Sequence, residues 1–528
     1  QQCDTRVTAA AAAADPNSRR AMPTSVGIIG GGIAGLACAR RLAQLGLRAV
    51  VFDTGKRGPG GRASSRTWRG HVVDHAVQFT AGTDPDFVAA LEASGAVRRW
   101  GDDGRFGVLH EGIFYPAEDN IPRWIGCEGF GSIVTAMAQG VDVRQDVWVP
   151  PSNGIRYEQD GSWSVAVPGE GGRRDYIQFD SIVIAHNGKC AERLTSSTPS
   201  REVHALLRTN FAPSLHRNPA PGSGKFTLNQ VYSLLFEVPA GVMPTDFDGA
   251  FVDSEPCLRW LSSNTAKFGH QASTAAGTTE VWTVLSSPDF GKRHKVAQEF
   301  LEGTDKEVEV TRLLLEGVER AVRLEPGTLR PSSLATKLQL WGAALPINRW
   351  EARDGQNFVW DAGHCIGIAG DWLTASAEKA STVEAAWLSG VRLAEHMAGN
   401  SNFDAGLDIG EGGGAFVPVE GDFGGAGSNK SAWVSEAPPV GAAKGGGKGG
   451  GYQGGHGRYG GRGPGGREGG RGGGGGGGGR AGGKGGGVGR ANNGGALGPV
   501  GSSGRGRGGG GGGRRWTRAG SNDAAIAA

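Results

Sequence analysis

Cysteine is scarce in this 528-residue chain: there are six, and none falls in a C-x-x-C pair. Cys3, Cys38, Cys127, Cys190, Cys257 and Cys365 stand far apart. Scattered thiols exclude a disulfide-stapled scaffold and suit a reducing compartment. Each reads as a small buried apolar residue rather than a reactive thiol. No Cys/His cluster has metal-ligand spacing, so no metal site is expected. No apolar run reaches the roughly 18 residues of a membrane-spanning helix, so no span is expected. Acids are nearly missing from residues 441–528, where 14 Lys/Arg face only Glu468 and Asp523, a charge of +12. The whole chain carries +3, so residues 1–440 carry −9. The small total conceals an acidic body and a basic tail.

Glycine, by contrast, is abundant at 97 residues, and it crowds into the tail. A stretch such as GGGKGGGYQGGHGRYGG cannot bury enough apolar surface to offset the entropy of ordering it. Residues 441–528 are therefore expected to be disordered. Residues 400–440 have few periodic apolar positions and many turn formers, so they read as a linker. Residues 1–24 are Ala-rich, with Arg6, Arg19 and Arg20 against Asp4 and Asp15. They read either as the remainder of a transit peptide or as a disordered leader. Residues 25–399 have globular composition, enough for more than one domain.

The most informative stretch is SVGIIGGGIAGLACARRLAQLGLRAVVFD, residues 25–53. Gly30, Gly32 and Gly35 fit G-x-G-x-x-G. Val26 to Ile29 predict a buried strand, Ile33 to Leu45 a helix ended by Gly46, and Leu47 to Phe52 a second strand. Asp53 follows 18 residues after Gly35. This is a whole βαβ unit of the dinucleotide-binding kind. Gly30 permits the tight turn, Gly32 lets a pyrophosphate approach the backbone, and Gly35 lets helix and sheet pack closely. The helix N-terminus offers free N–H groups to an anion. Asp53 can accept from a ribose hydroxyl.

Three later segments join this unit. GKRGPGGRASSR, 55–66, follows the second strand. FDSIVIAHNG, 179–188, is a strand running into a polar turn. HCIGIAGDWL, 364–373, is another, ending in Gly370-Asp371. STVEAAWLSGVRLAEHM, 381–397, predicts an amphipathic helix with Val383, Ala386, Trp387, Gly390, Val391 and Leu393 on its apolar side. A late strand and helix returning to the first unit suit a ligand site built from both ends of the chain.

Together, GGGIAGLACARRL, RGPGGRASSR, VVDHAVQFTA (72–81), AGDWL (369–373) and VEAAWLSG (383–390) resemble the FAD-dependent amine-oxidase-type flavoproteins, and within them the renalase-like branch. AHNGKCAERL, 185–194, resembles its plant and algal members. The resemblance covers roughly residues 24–399. It implies an α/β fold: a Rossmann-like FAD-binding domain interleaved with an α+β substrate domain, followed by the disordered Gly/Arg-rich tail. The nucleotide-binding parts would be about 25–80, 130–190 and 355–399, and the substrate-domain parts about 81–129 and 191–354.

The same resemblance assigns residues to the cofactor: Gly30, Gly32, Ala34, Gly35, Asp53, Gly61, Arg62, Gln78, Phe79, Gly370, Asp371 and Val383. Arg62 would pair with the pyrophosphate, whose oxygens suit a guanidinium fork. Asp371 would sit near the ribityl chain or pyrophosphate. The helix start at Thr382–Glu384 would face the flavin C2 carbonyl, and Gln78 and Phe79 would lie beside the isoalloxazine. The chain departs from the pattern at Ala76, where relatives often have glycine, and in the longer loop TASAEKAS, 374–381. Residues 373–383 hold no cysteine, so FAD is expected to bind without a covalent link.

A flavin carries hydride chemistry without a protein nucleophile or metal, so no catalytic residue is assigned. His75, His186 and Trp341 are substrate candidates, with Trp350 as a second element of an aromatic wall. The expected partners are a small-molecule electron donor and oxygen or another acceptor. An isomeric dihydronicotinamide leads as donor, with amine oxidation next and desaturation third. A reading of another class is weak RNA binding by the tail, where arginines interleave with Tyr452, Tyr459 and Trp516. The plant-like resemblance and the leader point to a chloroplast, with the cytoplasm as the alternative.

Overall fold

The computed structural model describes residues 23–213, 224–269, 272–274, 277–352, 356–376, 378–399 and 414–419. Residues 1–22 of the leader and the Gly/Arg-rich tail, with its RNA-binding reading, lie outside the described residues.

Eight elements build the layer that carries the glycine turn. They are β1 (Ser25–Ile29), α1 (Ile33–Gln44), β2 (Arg48–Phe52), β3 (Asp142–Arg144), β4 (Ser181–Ile184), β5 (Val359–Asp361), β6 (Ile366–Ile368) and α2 (Val383–Met397). The sheet order is β3-β2-β1-β4-β6-β5. Its first four pairings are parallel, and β5 runs antiparallel to β6. The strands read as near-continuous apolar runs because both faces are covered. Val26, Ile28, Val51 and Val183 pack on α1 and α2 with Leu42, Leu393 and Met397. The alternate residues Val50, Phe52, Ile182 and Ile184 pack on the other face with Trp163, Val165 and Phe179. Those three belong to an antiparallel sheet of Ile155–Tyr157, Trp163–Pro168 and Arg174–Phe179.

Helices α1 and α2 lie unusually close. A Cβ on Gly390 of α2 would sit 2.1 Å from the Ala34 carbonyl oxygen of α1. The buried face of α2 is also wider than the sequence pattern indicates. Ala385, Leu388, Ser389, Ala394 and Met397 are buried, while Val383, Ala386, Trp387 and Val391 are only half-buried. The helix is wedged between α1, the sheet and the helix Pro85–Ala93, where Trp387 meets Phe87 at 5.7 Å.

The second part of the fold centres on an eight-stranded sheet. Its path runs Ala335–Trp341, Val231–Pro239, Gly277–Ser286, Leu258–Ser263, Gly249–Val252, Phe106–His110 and Ile113–Pro116, with Ala272–Thr274 added at Gly277–Ser286. The helix Asp305–Ala321 covers it with Val310, Leu314, Leu315 and Val318, spaced at helical period. Thr304 caps that helix by accepting from the Glu307 N–H.

Two expectations need correction. Part of the linker is a strand: Gly414–Pro418 pairs antiparallel with Asn348–Ala352. Phe416 enters an aromatic pocket of Phe226, Trp350 and Trp372, and a single well-placed ring suffices to dock so short a segment. Among the cysteines, Cys38 and Cys257 are buried, with thiols pushed up to about 12 by desolvation, but Cys127 is exposed. No helix among the described residues is long and apolar enough to cross a membrane.

A fully buried ion pair joins the two parts. Lys267 Nζ donates to Asp74 Oδ2 at 2.9 Å, and both side chains have 0% exposure. The ammonium also donates to the Gln78 carbonyl at 2.8 Å. Asp74 Oδ1 accepts from the Phe130 N–H at 2.8 Å and the Ser65 hydroxyl at 2.5 Å. Burial holds the Lys267 pKa below its usual range, and the Asp74 carboxylate opposes that shift. Removing one partner strands the other charge. Lys267→Met should therefore cost about 3–5 kcal/mol in urea-induced unfolding. A loss under about 1 kcal/mol would show that water relieves the stranded carboxylate.

Candidate dinucleotide-binding active site

The glycine turn opens one end of a cleft of about 1250 Å³. That exceeds the roughly 300–1,000 Å³ usual for small-ligand pockets and suits a dinucleotide. Gly30 has φ +114°, a conformation that L side chains rarely adopt, and a Cβ there would lie 2.8 Å from the Ala185 carbonyl oxygen. A Cβ on Gly35 would fall 2.0 Å from the Gly30 carbonyl oxygen, which is why the helix can start so near the strand. Gly32 is different: a Cβ there would meet nothing within 4 Å. The space belongs to the cleft, beside the N-terminus of α1, where N–H groups and the helix dipole favour an anion.

Asp53, at the end of β2, is buried and holds the turn. Its Oδ2 accepts from the Gly31 N–H at 2.9 Å and its Oδ1 from the Gly55 N–H at 2.7 Å. Desolvation raises its pKa, and the two N–H groups oppose the rise. Each oxygen retains acceptor capacity toward a hydroxyl. The GPGGR loop is tied to the same turn, since the Gly60 N–H donates to the Gly31 carbonyl at 2.8 Å.

Gly61 and Arg62 follow in the short helical turn Gly61–Ala63. Arg62 Nη1 donates to Asp371 Oδ2 at 2.8 Å and to the Ala344 carbonyl at 2.7 Å. The arginine and the late acid, singled out separately in the sequence, thus form one ion pair across 309 residues. Asp371 is buried, and its carbonyl accepts from the Ser381 N–H at 2.8 Å. Thr382 then caps α2, its hydroxyl accepting from the Ala385 N–H at 3.0 Å. Ser381, Thr382 and Val383 line the cleft, as do Ala34 and Gly370. The long loop before α2 supplies Lys379, which pairs at 3.1 Å with buried Glu384. Glu384 in turn accepts from the Thr83 and Asp84 N–H groups at the start of the helix Pro85–Ala93.

His186 lies on the cleft with Nδ1 3.2 Å from the Ile29 carbonyl, and burial lowers its pKa. Its neighbour Asn187 is buried and lines the cleft, with Oδ1 unpartnered. His75 and Trp341 also line the cleft, and both are buried. Their rings lie 5.5 Å apart, and Trp341 Nε1–H donates to the His75 carbonyl at 3.2 Å.

Three sequence candidates fall elsewhere. Gln78 turns into the substrate domain, donating to the Asp74 carbonyl and accepting from the Ser262 hydroxyl. Phe79 packs among Trp100, Phe106, Phe251 and Trp260. Neither lines the cleft; the preceding Val77 does. The buried Lys267 and the aromatic cluster draw both side chains away. Trp350 packs on Phe416 instead of forming a wall with Trp341.

The sequence reading missed Trp148, which lines the cleft beside the Asp53 segment and is 42% exposed. The adjoining Val147 N–H donates to the Asp53 carbonyl at 2.9 Å. The signal was a tryptophan a few residues after a short strand that returns to the βαβ unit.

This geometry is that of a Rossmann-like dinucleotide-binding fold with a second domain closing its cleft. Residues 28–92 match the family described as the NAD(P)-binding Rossmann-like domain. Over 106 residues the chain is 34% identical to lysine-specific histone demethylase 1 homolog 1 of Oryza sativa subsp. japonica, covering 20% of this chain and 11% of that protein. The chain thus spans about a tenth of that relative's length. Among solved structures, a putrescine oxidase redesigned for cofactor binding is 14% identical at a TM-score of 0.44, covering 71% of this chain and 99% of the other. A flavoprotein/dehydrogenase from Cytophaga hutchinsonii is 13% identical at 0.39, covering 71% and 78%.

Burial, with Arg66 and Lys337 nearby, holds the His75 pKa well below the ordinary 6.5. The folded protein then binds fewer protons than the unfolded chain between the folded pKa and 6.5. The His75 contribution to stability is complete above 6.5 and declines as pH falls toward the folded pKa. Urea unfolding of wild type and His75→Gln across pH 5–7 should show a shallower slope in the variant, measured as ∂ΔG/∂pH. Equal slopes would mean that His75 titrates normally.

Proposed function

We propose that the chain is an FAD-dependent oxidoreductase that takes two electrons from a small organic substrate. The observation that carries this reading is the continuity of one cleft. The glycine turn, Asp53, Arg62, Asp371 and the buried His75 and Trp341 all line it. A cleft for a nucleotide alone has no need of that buried pair.

The residues fit the cofactor. The open space at Gly32 and the start of α1 suit a pyrophosphate, with Arg62 beside them. Asp53 suits the adenosine ribose, and the buried, unpartnered Asn187 Oδ1 awaits a donor. The start of α2 would favour negative charge on a reduced ring. Bound FAD would accept a hydride from a substrate C–H bond and pass the electrons to oxygen or another acceptor. The chain's residues would bind the dinucleotide, hold the donor carbon over the ring and exclude water. With no cysteine in residues 373–383, the attachment is noncovalent in this reading. The similarity of the sequence to renalase-like proteins favours a dihydronicotinamide isomer as donor. Amine oxidation is the competing activity, the histone demethylase relative being its point of support.

The purified full chain should show an oxidised-flavin spectrum, and denaturation should free the flavin from the protein. Arg62→Ala should weaken FAD binding by about 1.5–3 kcal/mol, or roughly ten- to a hundredfold, in titration of flavin-stripped protein. Arg62→Lys should recover only part of this, because a point charge replaces a fork. A colourless protein that takes up no FAD would overturn the reading. Anaerobic bleaching by dihydronicotinamides but not by amines would fix the donor class.

A further inference from the structure

We propose that Trp148 is the stacking wall for the purine base of the dinucleotide, and that it makes this cleft prefer FAD to the flavin mononucleotide. The proposal rests on the reading of FAD as the cofactor and assigns a specificity-determining residue to its adenosine half. Three observations carry it.

The first is exposure. Tryptophans in the body of the fold are packed away: Trp124, Trp163, Trp260 and Trp372 are at most 2% exposed, whereas Trp148 is 42% exposed. Ile113, Phe300 and Val308 are the other exposed large apolar side chains among the described residues. Of these four, only Trp148 lines the cleft. A flat apolar face left in water inside a ligand cleft is surface that a ligand can cover.

The second is where the backbone holds it. After β3 the chain turns at Asp146, whose φ of +55° is a left-handed conformation that aspartate adopts more readily than most residues. The Asp146 N–H donates to the Gly55 carbonyl at 3.3 Å, and the Val147 N–H to the Asp53 carbonyl at 2.9 Å. Val147 and Val149 pack against the apolar core on either side of Trp148. The tryptophan is thus anchored from both sides, one residue from a hydrogen bond to Asp53. Asp53 is the acid that suits the adenosine ribose. The base is joined to that ribose by a single bond, so a stacking surface for the base belongs beside the acid.

The third is the chemistry around it. Val149, Pro151 and Cys190 line the cleft as well, and burial pushes the Cys190 thiol up, so it carries no charge near neutral pH. Apolar neighbours and an indole suit a flat base better than they suit a phosphate. Stacking uses the π face of the base and does not read its edge. Trp148 therefore supplies affinity for the adenosine half, and a flavin mononucleotide, which has no such half, gains nothing from it.

The test uses the full chain stripped of flavin, as wild type, Trp148→Ala and Trp148→Phe. FAD and FMN would be titrated by flavin fluorescence, and ADP by tryptophan fluorescence and by competition with FAD. Trp148→Ala should bind ADP and FAD at least about tenfold more weakly, with FMN affinity unchanged. Trp148→Phe should keep most of that affinity yet lose the tryptophan quenching that ADP causes in wild type. Unchanged ADP affinity in Trp148→Ala overturns the proposal. An equal loss for FMN overturns it as well, because the substitution then disturbs the cleft as a whole. ADP binding that saturating FAD leaves undiminished puts the base in a second nucleotide and overturns the assignment to the cofactor. A wild-type chain that binds ADP but no FAD overturns the flavin reading alone, and the ADP titrations then decide the role of Trp148. A chain that binds neither overturns both.

Discussion

The Lys267–Asp74 pair is the constraint on which the rest of the site depends. Asp74 ends one strand of a hairpin, and Lys267 sits on the short helix Asn264–Phe268 after a strand of the large sheet. Their contact fixes the segment from His75 to Phe79 between the two parts of the fold. The backbone on either side is bound as well. The Asp74 N–H donates to Asn264 Oδ1, and the Asp74 carbonyl accepts from the Thr283 hydroxyl and the Gln78 amide. Through Ser65 and Phe130, the same carboxylate holds the strand after Arg62 and the helix Gly131–Ala138. A hydrophobic pair of equal volume could fill that space, but it could not bind four separate segments at set distances. Here the buried charge serves positioning more than net stability, since desolvation consumes much of its Coulomb energy.

The ends of the chain are joined by close packing as well as charge. Gly390 allows α2 to rest on α1 at Ala34, so the start of α2 reaches the glycine turn. Asp371 and Arg62 then meet in the wall of the cleft, and Arg62 also bonds to Ala344 of the second part. A single guanidinium thus contacts both parts and lines the same cleft as Gly32. A phosphate entering there would meet a cation whose position is already fixed, at little entropic cost.

What was legible in the sequence was local. The strand, turn, helix and acid of residues 25–53 are set by a few neighbouring residues, and β1, α1 and β2 fall within one or two positions of the pattern. The late strand and α2 were legible for the same reason. What escaped is set at long range. Gln78 and Phe79 directly follow Val77, yet only Val77 lines the cleft: the Ser262 hydroxyl takes Gln78 Oε1, and Trp100, Phe106, Phe251 and Trp260 take Phe79, all from segments distant in the chain. Glu384 looks like a solvated helix acid, yet it is buried because the Thr83 and Asp84 N–H groups need an acceptor. Gly414–Pro418 looks like linker because one phenylalanine in a glycine-rich run gives no periodicity. Its docking is decided by Trp350 and Trp372.

The cleft is electrostatically graded, and the gradient has a physical origin. At the β2 end, backbone N–H groups, the α1 terminus and Asp53 create a site for a phosphate beside one for hydroxyls. Around His75 and Trp341 the walls are an imidazole held neutral, an indole, and aliphatic residues such as Val72 and Val77. Arg66 and Lys337 act on that imidazole, so the walls there are not free of charge. Desolvation there makes any net charge expensive.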